Sequence, residues 1–173
     1  MARNPIHEKA SVKFGSYHVG IAAEAFAAGL LAHAGYEVLV QYGANQPLYD
    51  LMAVKGKRVL KVSVKGTQEP GWVLTGSFKE GRSYAEAADA WLQKHGGDVV
   101  FMFVQFLEVP IGSMPLVYVA RAQEVADQLK AAKGGTGDTT LRWKHTWRSG
   151  CAKGRTDTVP GAWAFSLKRI DSV

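Results

Sequence analysis

Hydrophobic and polar positions alternate strictly in one segment of the chain, residues 58–65, which reads RVLKVSVK. Side chains two residues apart lie on the same face of a β-strand, so Lys61, Ser63 and Lys65 share one face and the aliphatic residues share the other. An apolar run precedes this segment, and the glycine between the two runs supplies the positive φ of a tight turn. The pattern predicts a β-hairpin over residues 47–68.

Further stretches predict helices and strands around this hairpin. Residues 16–34 are apolar on nearly every side, which indicates a helix that is buried on more than one face. Residues 36–42 alternate as a strand, and residues 99–107 form a nearly continuous apolar run that is typical of an interior strand. Ser83 and Glu86 form a capping box at the start of a second, amphipathic helix. The order of these elements predicts an α/β fold with an αβββαβ core.

Two other regions complete the predicted organisation. Residues 69–81 are rich in glycine and lack a stable period, which predicts a mobile loop at the mouth of a site. Trp72 is expected to be exposed there and to contact a ligand, with local packing as the alternative. Towards the C-terminus the pattern predicts a strand at 116–120, a helix at 121–133 and a closing strand at 162–170.

One acidic residue stands out because its neighbours are apolar. Asp50 precedes Leu51 in a strand that otherwise reads as interior. An isolated carboxylate in such a strand is costly unless it is paired with a cation or holds a metal. A metal site is one interpretation of Asp50, and a structural ion pair with Lys65 is the alternative.

The spacing of these residues resembles the PD-(D/E)XK nuclease superfamily, most closely its archaeal Holliday-junction-resolvase-like and small endonuclease branches. In that family an aspartate begins the second core strand, and an acid-x-Lys triplet lies near the end of the next strand. Asp50 and Lys65 match the first and last positions, whereas Ser63 stands where the family has Glu, Asp or Gln. Glu24 resembles the helix-borne glutamate of the family, and Gln68 belongs to a polar tail like the one that follows the lysine.

The resemblance implies a restriction-endonuclease-like fold, in which helices flank a central mixed sheet. It implies a Mg²⁺- or Mn²⁺-dependent endonuclease acting on DNA, with Asp50, Glu24 and the backbone carbonyl of Val64 as metal ligands. Lys65 would orient the attacking water, and Ser63 would complete the catalytic set. The resemblance also implies a homodimer.

Ser63 leaves the implied site one negative charge short, because a neutral hydroxyl is a poorer ligand for a hard cation than a carboxylate. The sequence therefore leaves several outcomes open. Glu24 compensates in an active enzyme, or the site binds metal only when the substrate phosphate completes the shell. Alternatively, the chain is an inactive relative that binds nucleic acid without cutting it, or a protein-interaction module.

Charge is distributed unevenly along the chain. The net charge is +6, and residues 139–173 carry seven Lys or Arg against two Asp, which gives +5 for that segment. Basic residues interleaved with tryptophans favour phosphate neutralisation and stacking on bases, although a solvated basic hairpin with core-capping tryptophans has the same composition. The residues expected to contact nucleic acid are Lys61, Gln68, Trp72, Arg142, Lys144 and Arg148.

Length and composition set the remaining expectations. A chain of 173 residues is long enough for one full core, so we predict a single nuclease-like domain over 1–173, with a polar arm at 1–15 and a basic, Trp-rich segment at 139–173. The single cysteine excludes an internal disulfide. The sequence has no apolar run of membrane-spanning length and no signal-peptide pattern, so a cytoplasmic protein with no membrane partner is expected.

Overall fold

The computed structural model describes residues 13–40 and 48–173. The first twelve residues of the predicted arm and the segment 41–47 lie outside the described residues. The helices are α1 (Ser16–His33), α2 (Tyr84–His95), α3 (Ala122–Gly135) and α4 (Leu167–Ser172). The strands are β1 (Glu37–Val40), β2 (Leu51–Lys55), β3 (Arg58–Thr67), β4 (Gly71–Val73), β5 (Val99–Gln105), β6 (Leu116–Arg121), β7 (Thr140–Arg142), β8 (Lys144–Thr146) and β9 (Thr156–Thr158).

Five strands form the main sheet in the order β1, β2, β3, β5, β6. Strands β1, β2 and β3 pair antiparallel, β3 and β5 pair parallel, and β6 returns antiparallel to β5. Parallel neighbours need a crossover connection, and α2 lies in that connection. The predicted α/β fold, an αβββαβ core with a central mixed sheet flanked by helices, is confirmed. No helix of the described ranges has the length and apolar character to cross a bilayer.

Local chemistry explains the elements that were predicted correctly. Gly56 takes a φ of 61° between β2 and β3, as the tight turn requires. The side chain of Ser83 accepts a hydrogen bond from the Glu86 backbone N–H, and the Glu86 carboxylate accepts one from the Ser83 backbone N–H, so the capping box starts α2. Every residue of β5 is buried, in agreement with its continuous apolar run.

The two faces of the main sheet carry different cores. The face that packs against α1 is mainly aliphatic, and its buried members include Ala23, Leu31, Leu51, Val62, Val64 and Met102. The opposite face packs against α2 and α3 and is rich in aromatic rings, including Trp72, Trp91, Phe101, Phe103 and Trp163. Because side chains alternate along β3, Val62 and Val64 point to the aliphatic face, and Ser63 and Lys65 point to the aromatic one.

Two predictions about the loops and the C-terminus are wrong. Residues 69–81 contain β4, which pairs antiparallel with β7 some seventy residues later. A partner so distant leaves no local period in the sequence. The closing strand predicted at 162–170 is instead a 3₁₀ turn, Gly161–Trp163, followed by α4. The side chain of Ser166 accepts a hydrogen bond from the backbone N–H of Arg169, and this cap starts the helix.

Candidate active site

Asp50 lies immediately before β2, at the end of the pairing between β2 and β3. The strand pairing begins at Leu51 and Val62, and the backbone N–H of Asp50 donates to the Val62 carbonyl at 2.8 Å. Its carboxylate Oδ2 accepts a hydrogen bond from the backbone N–H of Val64 at 2.6 Å and another from Ser63 Oγ at 3.3 Å. The carboxylate is therefore held against β3 just beyond the Leu51–Val62 pair, where β2 no longer covers the edge of β3.

The same contact orients the carbonyl of Val64. In an extended strand the N–H and C=O of one residue point to the same side, and the Val64 N–H points to Asp50. The parallel neighbour β5 lies on the other side of β3. The Val64 carbonyl thus points away from β5, to the side on which the Asp50 carboxylate lies.

Glu24 is brought to this edge by close packing of α1 on β3. At Gly66 the helix approaches so closely that a Cβ atom would lie 2.6 Å from Ala23 Cβ and 2.9 Å from the Val19 carbonyl. Glu24 follows Ala23 and is half-buried. Burial raises the pKa of Glu24, the negative charge of Asp50 raises it further, and the positive charge of Lys65 lowers it. The charges of Asp50 and Lys65 therefore both act on Glu24.

Lys65 does not form the structural ion pair that was the alternative interpretation of Asp50. The salt bridges found among the described residues join other partners. Lys65 lies beside Phe103 of β5 on the aromatic face, and its backbone carbonyl accepts a hydrogen bond from Trp72 Nε1 at 2.8 Å. Lys65 thus projects from the face of β3 opposite α1, whereas Glu24 belongs to α1, and the charge of Lys65 lowers the pKa of Glu24.

Ser63 is buried, with 3% of its surface exposed, and its hydroxyl contacts Asp50. The site consequently offers two carboxylates, one lysine and one backbone carbonyl. In residues 13–40 and 48–173 no group of three or more His, Cys, Asp or Glu side chains is arranged to hold a metal ion. Any divalent cation at Asp50 and Glu24 must therefore take further oxygens from the backbone, from water or from a substrate.

Sequence reasoning missed one residue near this site. His95 ends α2, where its ring stacks on Trp91 at 5.0 Å and its Nδ1 lies 2.9 Å from the Trp91 carbonyl. Burial lowers the pKa of His95, and the charges of Lys94 and Lys65 lower it further, against the opposing effect of the Trp91 hydrogen bond. Helical spacing identified His95 as an inward position of α2, but no local signal connects it with Lys65.

Comparisons with known proteins give two solved structures of related shape. No protein-family model matches the chain, and the search of curated proteins found no match. A bacterial homing endonuclease is 18% identical over 65% of this chain and 69% of its own, with a TM-score of 0.38. The Holliday junction resolvase Hjc of the archaeal hyperthermophile Archaeoglobus fulgidus is 16% identical over 71% of this chain and 95% of its own, with a TM-score of 0.39.

Trp72 does not have the exposed position that the sequence suggested. It is 3% exposed and packs edge-on against Phe103, with ring centroids 5.2 Å apart. The prediction of a solvent-facing ligand contact is wrong, and the packing alternative is correct. The indole instead fixes the backbone of Lys65 through its N–H donor.

Gln68 and Lys61 occupy different environments. The Gln68 side-chain amide bonds both backbone groups of Phe14, accepting from its N–H at 3.1 Å and donating to its carbonyl at 2.5 Å. It thereby ties the segment before α1 to the end of β3. Lys61 is half-exposed and precedes Lys65 by four residues on the same face of β3, roughly 13 Å along the strand.

The basic C-terminal residues also differ from one another. Lys144 and Arg148 are exposed, whereas Arg142 is half-buried and its Nε lies 2.8 Å from Asp138 Oδ2. The guanidinium of Arg142 lies 5.5 Å from the centroid of the Trp147 ring, and Lys133 Nζ lies 5.2 Å from the same centroid. Trp147 therefore makes cation–π contacts with two basic side chains on the protein surface.

The other two C-terminal tryptophans are structural. Trp163 is 5% exposed and belongs to the aromatic core, so the expected stacking of its ring on a base is wrong. Trp143 packs partly against the same core and donates from Nε1 to the Tyr118 hydroxyl at 3.1 Å. The core-capping alternative holds for both rings.

Proposed function

We propose that the chain is a metal-dependent nuclease that hydrolyses phosphodiester bonds in DNA. The observation that carries the proposal is the Asp50 carboxylate held at the start of β2 by the Val64 N–H, and it is supported by the influence of both the Asp50 and the Lys65 charge on the pKa of Glu24. Two carboxylates and an ammonium group at one sheet edge match the needs of phosphoryl chemistry, in which charge on the phosphate must be neutralised and a water activated.

The donor atoms suit Mg²⁺ or Mn²⁺. Carboxylate oxygens of Asp50 and Glu24 and the carbonyl of Val64 are hard ligands, and Mg²⁺ is commonly bound through one or two carboxylates with several waters retained. The raised pKa of Glu24 adds support, because burial and, after it, the negative charge of Asp50 disfavour the ionised carboxylate, and a bound cation would offset both effects. A bound divalent cation would polarise the phosphate and lower the pKa of a coordinated water.

The protein side chains have separate roles in this proposal. Asp50 is fixed by Val64 N–H and Ser63 Oγ through one oxygen, so among the described residues its Oδ1 has no hydrogen-bond partner and can face a ligand. Lys65 would orient the attacking water or meet the negative charge that develops on the phosphate. Ser63 would act as a positioning residue, because its hydroxyl holds the Asp50 carboxylate.

Nucleic-acid contact is proposed for the exposed basic residues of the C-terminal segment. Lys144 and Arg148 project from the β8–β9 ribbon, and Arg142 and Lys133 flank the Trp147 ring nearby. These positive side chains favour binding to the phosphate backbone of DNA, and the affinity of such binding falls as the salt concentration rises. Lys61 and a homodimeric assembly remain predictions from the sequence.

The test is Mg²⁺- or Mn²⁺-dependent cleavage of plasmid, duplex and branched DNA by the purified full chain. Lys65→Ala should lower the rate about 10²–10³-fold, since it removes a preorganised charge from the transition state. Asp50→Asn and Glu24→Gln should abolish metal-dependent cleavage. Lys57→Ala, which removes an exposed lysine of the β2–β3 turn, is the matched control and should cut as the wild type does. Undiminished cleavage by all three site variants would refute the assignment.

An inactive DNA-binding relative is the second candidate, and it is favoured by one observation. Ser63 replaces an acid with a hydroxyl that is already bonded to Asp50. This candidate predicts salt-sensitive DNA binding that falls on substitution of Arg142, Lys144 and Arg148, with no turnover under either metal. Isothermal titration with Mn²⁺ separates the two, because only the nuclease requires the Asp50 and Glu24 carboxylates for metal binding.

A further inference from the structure

Trp72 makes a contact that lies outside its own sheet. It belongs to β4, which forms a two-stranded sheet with β7. Its ring is 3% exposed and packs into the aromatic core of the main sheet, where Nε1 donates a hydrogen bond to the backbone carbonyl of Lys65 at 2.8 Å. A buried indole N–H needs an acceptor, and here the acceptor belongs to the residue that the proposed mechanism places at the phosphate. The bond therefore connects the β4–β7 sheet to the candidate catalytic lysine.

The peptide group between Lys65 and Gly66 is held from both faces of β3. On the side of α1, a Cβ atom at Gly66 would lie 2.6 Å from Ala23 Cβ, so the helix and the strand are already in close contact. On the opposite face the indole of Trp72 binds the Lys65 carbonyl. Glycine allows more backbone conformations than another residue would, so the hydrogen bond restricts the strand where its sequence restricts it least.

The indole is itself held by other rings. Phe103 is the neighbour of Lys65 across the β3–β5 pairing, and Trp72 packs edge-on against it with ring centroids 5.2 Å apart. The centroid of the Tyr118 ring lies 6.4 Å from that of Trp72, at an interplanar angle of 81°. Because these contacts fix the rotamer of Trp72, its N–H is aimed at the carbonyl before a substrate binds. A lysine side chain is long and flexible, so the direction of its ammonium group depends on how firmly its backbone is fixed.

We propose that Trp72 is a positioning residue for Lys65: its indole N–H fixes the strand position from which the ammonium group reaches the phosphate. The inference rests on the proposed function and adds to it a residue that does not touch the substrate. Trp72 carries no charge and binds the backbone, so it acts on the orientation of Lys65 and leaves DNA affinity unchanged. A displacement of about 1 Å at a reacting group can cost on the order of 10²-fold in rate, so the loss of this hydrogen bond is measurable.

Removal of the N–H tests this role. Trp72→Phe keeps an aromatic ring and loses the donor, so the maximal single-turnover rate of plasmid cleavage under Mg²⁺ should fall about tenfold. The DNA concentration that gives the half-maximal rate should stay unchanged, since Trp72 makes no contact with DNA. A Trp72→Phe protein that cleaves as fast as the wild type would overturn the proposal.

Trp143→Phe is the matched control. Trp143 Nε1 also donates a hydrogen bond beside the same core, to the Tyr118 hydroxyl at 3.1 Å. The substitution therefore removes the same kind of bond without touching Lys65, and its maximal rate should equal that of the wild type. A tenfold loss in both variants would mean that any lost indole bond slows the protein, which contradicts a specific role for Trp72.

A double-mutant cycle separates positioning from a general loss of structure. If Trp72 acts through the Lys65 side chain, Trp72→Phe should slow the Lys65→Ala protein by less than about twofold, because the group that it positions is already absent. A residue that only supports the fold would slow both backgrounds equally. Equal slowing in the two backgrounds would therefore refute the positioning role.

An isosteric analogue covers the case in which Trp72→Phe folds poorly. Circular dichroism and urea denaturation report the folding of each variant. With 3-benzothienylalanine incorporated at position 72, a sulfur atom replaces the N–H and the shape of the ring is retained. This protein should show the same loss of maximal rate as Trp72→Phe. Full activity of the analogue would contradict the proposal whatever the stability of Trp72→Phe.

The two proposals fail in different ways. Cleavage that is lost in Lys65→Ala but unchanged in Trp72→Phe and in the analogue refutes the positioning role and keeps the nuclease. A wild-type chain that cleaves nothing under Mg²⁺ or Mn²⁺ refutes the nuclease, and the positioning role falls with it.

Discussion

The two faces of the main sheet differ in the kind of packing that they use, and the candidate site lies where the faces meet. The face against α1 is built from small and aliphatic side chains, so the helix lies close to β3. The face against α2 and α3 is built from stacked rings, among them Trp91, Phe101 and Phe103. Glu24 comes from the first side and Lys65 from the second, with Asp50 at the edge between them.

The two faces therefore control different properties of the molecule. The aromatic face buries the larger side chains, and each ring removes more apolar area from water than an aliphatic side chain does. The aliphatic face lets α1 lie close to β3, because small side chains on the helix leave room for a close approach. This approach brings Glu24 to the strand edge. Substitutions on the two faces should consequently differ both in size and in kind.

The largest effect is expected on the aromatic face. Phe101 is fully buried, with its ring centroid 5.0 Å from that of Trp91 and 6.0 Å from that of Phe103. Phe101→Ala should lower the free energy of unfolding by about 3–5 kcal/mol, since it removes a large side chain and leaves a cavity. Val62→Ala, at a fully buried position of the aliphatic face, should cost about 2 kcal/mol. Urea denaturation measures both, and equal losses would contradict the comparison.

The next effect concerns the close approach of α1. Gly66→Ala places a Cβ atom 2.6 Å from Ala23 Cβ, so the helix must move outward, at a cost of about 1–3 kcal/mol for overpacking. We expect cleavage to fall more than stability alone explains, because Glu24 moves away from Asp50. Thermal unfolding and metal-dependent cleavage are measured on the same samples.

Gly20→Ala is the matched control for this prediction. A Cβ atom at Gly20 meets nothing within 4 Å, and alanine is favoured over glycine inside a helix by about 1 kcal/mol. The control should be as stable as the wild type or more stable, with unchanged cleavage. A Gly66→Ala protein with full activity would show that the close packing does not position Glu24.

Much of the fold could be predicted from the sequence because its signals are local. The capping box of Ser83 and Glu86, the alternation through β3 and the apolar run of β5 each depend on neighbouring residues. The failures depend on distant ones. Trp72 is buried because β4 pairs with β7, and residues 162–170 fold as a turn and a helix that close over the finished core.

The candidate site divides in the same way. Asp50 and Lys65 were identified from strand periodicity and a short motif; in the structure Asp50 contacts the Val64 N–H, and Lys65 follows Val64 in β3 with its side chain on the face opposite α1. The role of Ser63 as a hydrogen-bond donor to Asp50 and the proximity of His95 to Lys65 arise only after the chain folds.

The smallest effect concerns the pH dependence of stability. Burial and the charge of Asp50 raise the pKa of Glu24 in the folded protein above that in the unfolded chain. Below the unfolded pKa both states are protonated and Glu24 has no effect; above the folded pKa both are ionised and the folded state is penalised. Glu24→Gln should therefore stabilise the protein at pH 7, and the gain should shrink as the pH falls towards 4. Glu37→Gln, an exposed position of β1, controls for the loss of charge. Adding Mg²⁺ should reduce the gain further, since the cation stabilises only the chain that keeps both carboxylates. A gain that is unaffected by both pH and Mg²⁺ would mean that Glu24 does not share a charged site with Asp50.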